Sequence, residues 1–370
     1  MSNFGSLLHR EKNFENAIVQ GLEAAGWVSS PNDVGYDRVL ALYPADIFAW
    51  LQNAFPKLYE NFVKRPNWQN ELLDRIVSLL NKRGTISVIR DGADLAGIGS
   101  FAMSQAMSDD ADMNPEIRRR CEANILRVVQ QVHFSTTSNE SIDLVLFVNG
   151  IPVATIEVKT NFTQSVNAAV EEYKTKRIPG PGAPLLVPER GAIVHFAMSE
   201  TDIRMTTKLA GNSTFFLPFN KGWNGHAANA PSTPDTSYPV SYFWEEVAQK
   251  EAWLDIWHHF VFVERDTSKK KVETKLIFPR FHQWRAVTKM IGDASANGPG
   301  MTYLIEHSPG SGKTKTITWT AFQLTELRKG DRFLFDTVII VTDRTILDKQ
   351  LADAVQAFNP TQGLVSAIGR

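Results

Sequence analysis

The chain has 370 residues, 43% hydrophobic and 10% aromatic, with 39 Lys and Arg against 40 Asp and Glu. That length accommodates two domains with substantial cores, and the balance excludes both a disordered chain and a globally basic one, though not a local basic groove. The lone cysteine, Cys121, excludes an intrachain disulfide and a thiolate metal cage.

The first residues lack an apolar core of signal-peptide length, and no run approaches the roughly 20 apolar residues of a membrane helix. A cytoplasmic setting without membrane contact is expected. Phe14, Ile18, Leu22 and Ala25 follow helical spacing and stop at Gly26. The aromatic-rich stretches 44–63 and 67–84 also read as helices. TISVIR, residues 85–90, alternates and predicts a strand, whereas 93–113 has no clean period and reads as loop. Residues 115–130 begin with proline and predict a helix.

SIDLVLFVNGIPVATIEVKT, residues 141–160, predicts two apolar strands meeting at Asn149-Gly150. A helix follows over 166–177, ending before the PGPGAP breaker at 179–184. GAIVHFAM, 191–198, predicts a strand, with further β-like segments at DIRMTTK and STFFLPFN. Residues 221–239 read as a long surface loop, and 241–264 as helical. The charged run RDTSKKK at 265–271 marks a candidate boundary between domains 1–264 and 265–370. Beyond it, a strand MTYLIE, a Gly-rich turn, a helix KTKTITWTAFQLTELRK, a strand TVIIVTD and a helix RTILDKQLADAVQAF are predicted. That order is the start of a doubly wound α/β domain.

Two stretches carry chemistry. In the hairpin, Asp143, Glu157 and Lys159 stand in near-continuous Val, Ile and Leu, where charge is costly unless pairing or chemistry holds it. An acidic residue followed by E-x-K is the residue set of a metal-dependent nuclease; the same residues also fit an ion pair at a strand end. Geometry constrains the choice. Side chains alternate along a strand, so a regular hairpin with a two-residue loop would turn Asp143 away from Glu157. A shared site therefore requires an odd loop or a β-bulge within a strand.

The second is HSPGSGKTKT, residues 307–316. Gly310 and Gly312 let backbone N–H groups approach phosphate oxygens, and Ser311 lies between them. Lys313 would reach the β/γ-phosphates and Thr314 would hold Mg²⁺. The strict G-x-x-x-x-G-K-T form would need glycine where His307 stands, so the segment fits the helicase-type variant. Gln283 could read an adenine edge. Thr342, Asp343 and Arg344, at the end of a predicted strand, could lie near a DNA path, or serve as helix-cap and surface residues. The eight histidines show no metal-ligand spacing.

FENAIVQGLEAAGW, SIDLVLFVNGIPVATIEVKT, AVEEYKTKRIP, IVHFAMSETDIRMTTKL, STFFLPFNKG, SYFWEEV, FHQWRAV and HSPGSGKT together resemble the restriction (R, motor) subunit of Type I restriction–modification enzymes. The resemblance spans nearly the full length. It implies a restriction-endonuclease-like PD-(D/E)xK domain, a mixed sheet flanked by helices, followed by the first part of a RecA-like motor of superfamily 2 type. It implies cleavage of double-stranded DNA with Mg²⁺, ATP-driven translocation, and methylation and specificity subunits as partners.

On this resemblance Asp143 and Glu157 would bind metal, Lys159 would orient water or steady developing charge, and Glu15 matches an acidic position that would join the metal site. Gln164 and Tyr173 are the candidates for the family's glutamine and tyrosine region. A strict Q-x-x-x-Y would need Gln where Ala169 stands, and Glu172 occupies a position where relatives carry Gln. The Asp-Glu box and second motor lobe are absent before Arg370, so the chain reads as an N-terminal portion that should not hydrolyse ATP alone. Competing readings are a nucleotide-gated DNA-binding or assembly subunit with an inactive nuclease fold, and a nuclease-helicase of DNA repair.

Overall fold

In a computed structural model, residues 2–107, 114–160, 165–233, 238–266 and 273–341 are described. The chain divides into two compact units, with the break between His258 and His259.

The first unit opens with helix α1 (Ser2–Ala24), whose Phe14, Ile18 and Leu22 are fully buried, and which ends where Gly26 takes φ of 90°. Strand β1 (Val28–Ser30) follows, then helices α2 (Pro44–Ala54), α3 (Pro56–Phe62), α4 (Trp68–Arg83) and α5 (Thr85–Asp91). A small hairpin, β2 (Ala93–Leu95) and β3 (Gly99–Phe101), leads to α6 (Pro115–Ala123), which starts with proline at N1 and Asn114 accepting from Glu116 N and Ile117 N. Strands β4 (Leu126–His133), β5 (Ser141–Val148) and β6 (Ile151–Lys159) precede α7 (Val166–Thr175). Then come β7 (Val194–Ser199), β8 (Ile203–Thr206), β9 (Leu217–Pro218) and α8 (Lys250–Asp255).

The seven strands β1-β4-β5-β6-β7-β8-β9 form one sheet in that order. Only β1 with β4 and β6 with β7 are parallel. The parallel β6–β7 pair cannot be joined by a tight turn, so the chain crosses over through α7. This crossover lays α7 on one face of the central hairpin, where Ala169, Val170 and Tyr173 share a buried cluster with Val145 and Phe147.

Three local expectations are corrected here. Residues 85–90 are helical. Gly84 at φ of 81° opens α5, Ile86, Val88 and Ile89 are buried, and Thr85 Oγ1 donates to the carbonyls of Arg190 and Gly191 at 2.6 and 2.9 Å. The helix expected over 115–130 stops at Ala123, because the Asn124 amide donates to the carbonyls of Gln105, Arg120 and Cys121. The β-branched run that follows becomes β4, between β1 and β5. Residues 93–101, expected as loop, contain the β2–β3 hairpin.

In the second unit, β10 (Phe262–Asp266) and β11 (Glu273–Ile277) form an antiparallel hairpin, followed by α9 (Phe281–Asn297) and α10 (Lys313–Glu326). The end of the stretch expected as helical up to residue 264 is thus strand, and β10 runs through the expected boundary. Trp319 of α10 is fully buried and donates to Phe260 O at 2.8 Å.

The expected strands MTYLIE and TVIIVTD are not strands among the described residues: 301–306 and 337–341 carry no ladder. Leu304, Ile339 and Val341 are exposed by 93%, 77% and 86%. A buried parallel strand draws its hydrogen bonds and cover from neighbours, and neither segment has a strand partner among the described residues. Residues 342 and 343 and the predicted helix after them lie outside the described residues.

Candidate functional site

The hairpin turns on Asn149 and Gly150, at φ of 48° and 83°, with Val148 opposite Ile151. These are the angles of a type I′ turn, which Asn-Gly favours. Left regular, that turn would put Asp143 and Glu157 on opposite faces. The register instead shifts between Leu146 and Phe147: Phe147 faces Pro152, but Leu146 faces Ala154, leaving Val153 as the extra residue. From there Leu144 pairs with Ile156, the last pair of the ladder, so the residues one step beyond, Asp143 and Glu157, fall on the same face. A bulge within β6 thus restores the parity that a shared site requires.

Glu157 and Lys159 are 1% and 7% exposed. Asp143 Oδ2 accepts from Val158 N at 2.7 Å, and its Oδ1 accepts from Gln131 Nε2 at 3.3 Å. Glu157 Oε1 accepts from Arg177 Nε at 2.5 Å, while Oε2 is buried without a hydrogen-bond partner. Lys159 Nζ lies 3.1 Å from Glu11 Oε1 and 3.2 Å from Glu172 Oε2, and donates to Val158 O at 3.0 Å.

Burial first, and the Asp143 charge second, push the Glu157 carboxyl well above the usual range against the pull of Arg177. Burial, again reinforced by Asp143, raises Glu15 to about 7. Burial works against the Lys159 charge, but Asp143, Glu172, Glu11 and Glu157 outweigh it and hold its pKa above the usual lysine range. Asp143, Glu157, Lys159 and Glu15 therefore share one electrostatic environment at one end of the hairpin.

Among the described residues no three His, Cys, Asp or Glu side chains form a group able to hold a metal ion by themselves. The donor set still suits Mg²⁺, a hard cation that binds through one or two carboxylates and keeps several waters. The unpartnered buried Oε2 of Glu157 is the kind of oxygen such an ion would satisfy.

Tyr173, expected at the DNA, is instead fully buried. Its hydroxyl is 2.7 Å from Thr155 Oγ1 and its ring stacks at a tilt on His195. That position leaves it no surface for a DNA contact. Gln164, Thr342, Asp343 and Arg344 lie outside the described residues.

Three residues around the site were not anticipated. Gln131 stands in β4 at φ of 51°, and its side chain donates to Asp143 and accepts from Ser141 Oγ. Glu11 and Arg177 come from α1 and from just beyond α7. A polar pair inside VVQQVHF was the only sequence signal for Gln131. For Arg177, a basic residue at a helix end, there was none.

In the second unit, Gly310 and Gly312 have φ of 74° and 87°. The φ of Gly312 strains any residue with a Cβ, and such a Cβ would also displace Gln283 Nε2, 2.5 Å away. Lys313 Nζ donates to the carbonyls of His307 and Ser308 at 2.7 and 3.0 Å. His282 Nε2 bonds Ser311 O at 3.1 Å, and half-buried Thr314 is the second residue of α10. Gln283 is 4% exposed: its Oε1 accepts from Arg280 N and its Nε2 donates to Gly312 O, both at 2.9 Å. The adenine-reading expectation is corrected: as placed, this amide braces the loop.

The hairpin of the mixed sheet thus gathers two carboxylates and a lysine, and in the second unit a glycine loop opens a helix. The model of the Type I restriction enzyme R protein N terminus matches residues 10–214, more than half of the chain, and the chain belongs to that family. Residues 282–367 match the SWI2/SNF2 ATPase model, so the second unit begins a RecA-like α/β fold. A protein of Methanocaldococcus jannaschii, named as the type I restriction enzyme MjaVIIIP endonuclease subunit, is 26% identical over 244 residues. That match takes in 65% of this chain and 22% of the relative's length. Among the described residues no helix is long and apolar enough to cross a membrane.

Proposed function

We propose that this chain carries the nuclease domain and the first motor elements of an ATP-dependent Type I restriction endonuclease. The substrate is double-stranded DNA, and methylation and specificity subunits are the partners that supply site recognition. The observation that carries this reading is the β6 bulge, which shifts the register so that Asp143 falls on the face that presents Glu157 and Lys159.

Asp143 and Glu157 would hold Mg²⁺ with waters completing its shell, and Glu15 lies near enough to feel the Asp143 charge. When bound, the ion polarises a phosphate oxygen and makes hydroxide available near neutral pH. Lys159, kept charged by its carboxylate neighbours, steadies negative charge developing on the phosphate. Gly310, Ser311, Gly312, Lys313 and Thr314 would hold ATP with its own Mg²⁺, and Gln283 would keep that loop in shape.

The test is DNA cleavage by the full-length protein with its partner subunits. Asp143→Ala and Lys159→Ala should each abolish cutting while ATP binding persists. Undiminished cutting by Asp143→Ala would remove the nuclease assignment.

A further inference from the structure

Arg177 lies two residues past the end of α7, where the backbone N–H groups of Lys176 and Arg177 both return to Glu172 O at 2.8 and 3.1 Å. That turn sends the side chain back toward the sheet rather than into solvent, and Arg177 is 6% exposed. Its Nε donates to Glu157 Oε1 at 2.5 Å and its Nη2 to Ser141 O at 2.8 Å. Its Nη1 lies 3.8 Å from Glu140 Oε1, and the guanidinium carbon is 5.3 Å from the centroid of the Phe134 ring. The guanidinium is therefore fixed by the start of β5 and the segment before it, independently of Glu157.

Glu157 has no other hydrogen-bond partner among its described contacts, and its second oxygen, Oε2, is buried and bare. One oxygen locked by a rigid planar donor leaves the direction of the other set in advance. Asp143 is treated similarly, by Val158 N and more loosely by Gln131.

Resting on the nuclease reading above, we infer that Arg177 is a positioning residue of the metal site: it holds Glu157 Oε1 so that Oε2 is presented to a divalent cation. It need not touch DNA or the cation. Removing it would leave a buried carboxylate beside Asp143 with nothing to orient it. Partners behind a metal-binding carboxylate characteristically change affinity without being ligands.

The test is Mn²⁺ binding to the full-length protein without nucleotide, followed by electron paramagnetic resonance of free Mn²⁺. Thermal unfolding in EDTA and the metal requirement for cleavage are measured in parallel on Arg177→Met, Arg177→Lys and Asp143→Ala. Arg177→Met should raise the half-saturating Mn²⁺ concentration by about 10- to 100-fold, and the metal requirement for cleavage should rise with it. Arg177→Lys, which keeps the charge but loses the fork, should fall between the two. A lower melting temperature with unchanged Mn²⁺ affinity would show Arg177 to be merely structural and overturn the inference. Should Arg177→Met fail to fold, unchanged Mn²⁺ affinity in Arg177→Lys overturns it equally. Loss of Mn²⁺ binding in Asp143→Ala beside unchanged binding in the Arg177 variants rejects the inference alone. Unchanged binding in all three rejects the nuclease reading with it.

Discussion

His195 sits in β7 beside the hairpin, paired with Thr155 and 2% exposed, with Nδ1 2.8 Å from Thr155 Oγ1, and burial pushes its pKa down to about 3. In the unfolded chain an imidazole titrates near 6.5, so between 6.5 and 3 the unfolded state binds the extra proton. The neutral histidine's contribution is therefore complete above 6.5 and is lost as pH falls toward 3, by an amount on the order of 5 kcal/mol. Urea titrations across that window should show His195→Asn losing stability less steeply on acidification than the parent chain. Parallel acid profiles would contradict the buried, neutral imidazole. At the same scale, Asp143, Glu157 and Lys159 were legible as residue types out of place in apolar strands. Gln131, Glu11 and Arg177 were not, because β4, α1 and the turn after α7 bring them to the site only through the fold.

At the scale of the element, the hairpin decides whether those residues form a site. Asn149-Gly150 announced the turn. Alternation then showed that a regular two-residue loop would separate the carboxylates, so the need for a bulge was legible while its place was not. It fell at Val153, where the register on β5 changes between Leu146 and Phe147. Gly150 is constrained as tightly as the bulge: at φ of 83°, an added Cβ would lie 2.5 Å from Tyr43 O and 2.6 Å from Ile47 Cγ1. Gly150→Ala should destabilise the protein by at least about 1–2 kcal/mol from the backbone conformation alone, with the clash adding to that. A urea midpoint that does not move would show that the turn relaxes. Two of the misread elements share a cause. TISVIR and LRVVQQV are short apolar runs whose local pattern suits helix or strand, and only the partners they bury against choose between them.

For the whole molecule, the proposed function assigns separable chemistry to the two units. Lys313→Ala in the full-length protein should lower ATP turnover by roughly 10²-fold or more. An unchanged ATPase rate would remove the nucleotide-binding assignment. The sequence by itself determined the two-part organisation, the hairpin turn, the glycine loop and the charged trio. Each of these is written in residues close together in the chain, where glycine, proline and periodicity act directly on the backbone. Only the tertiary structure decided that α5 is a helix and β4 a strand, that Tyr173 and Gln283 face inward, and that Arg177 grips Glu157. Those outcomes depend on which buried polar group finds its partner across the fold, and such pairing is settled by desolvation and geometry rather than by neighbours in sequence.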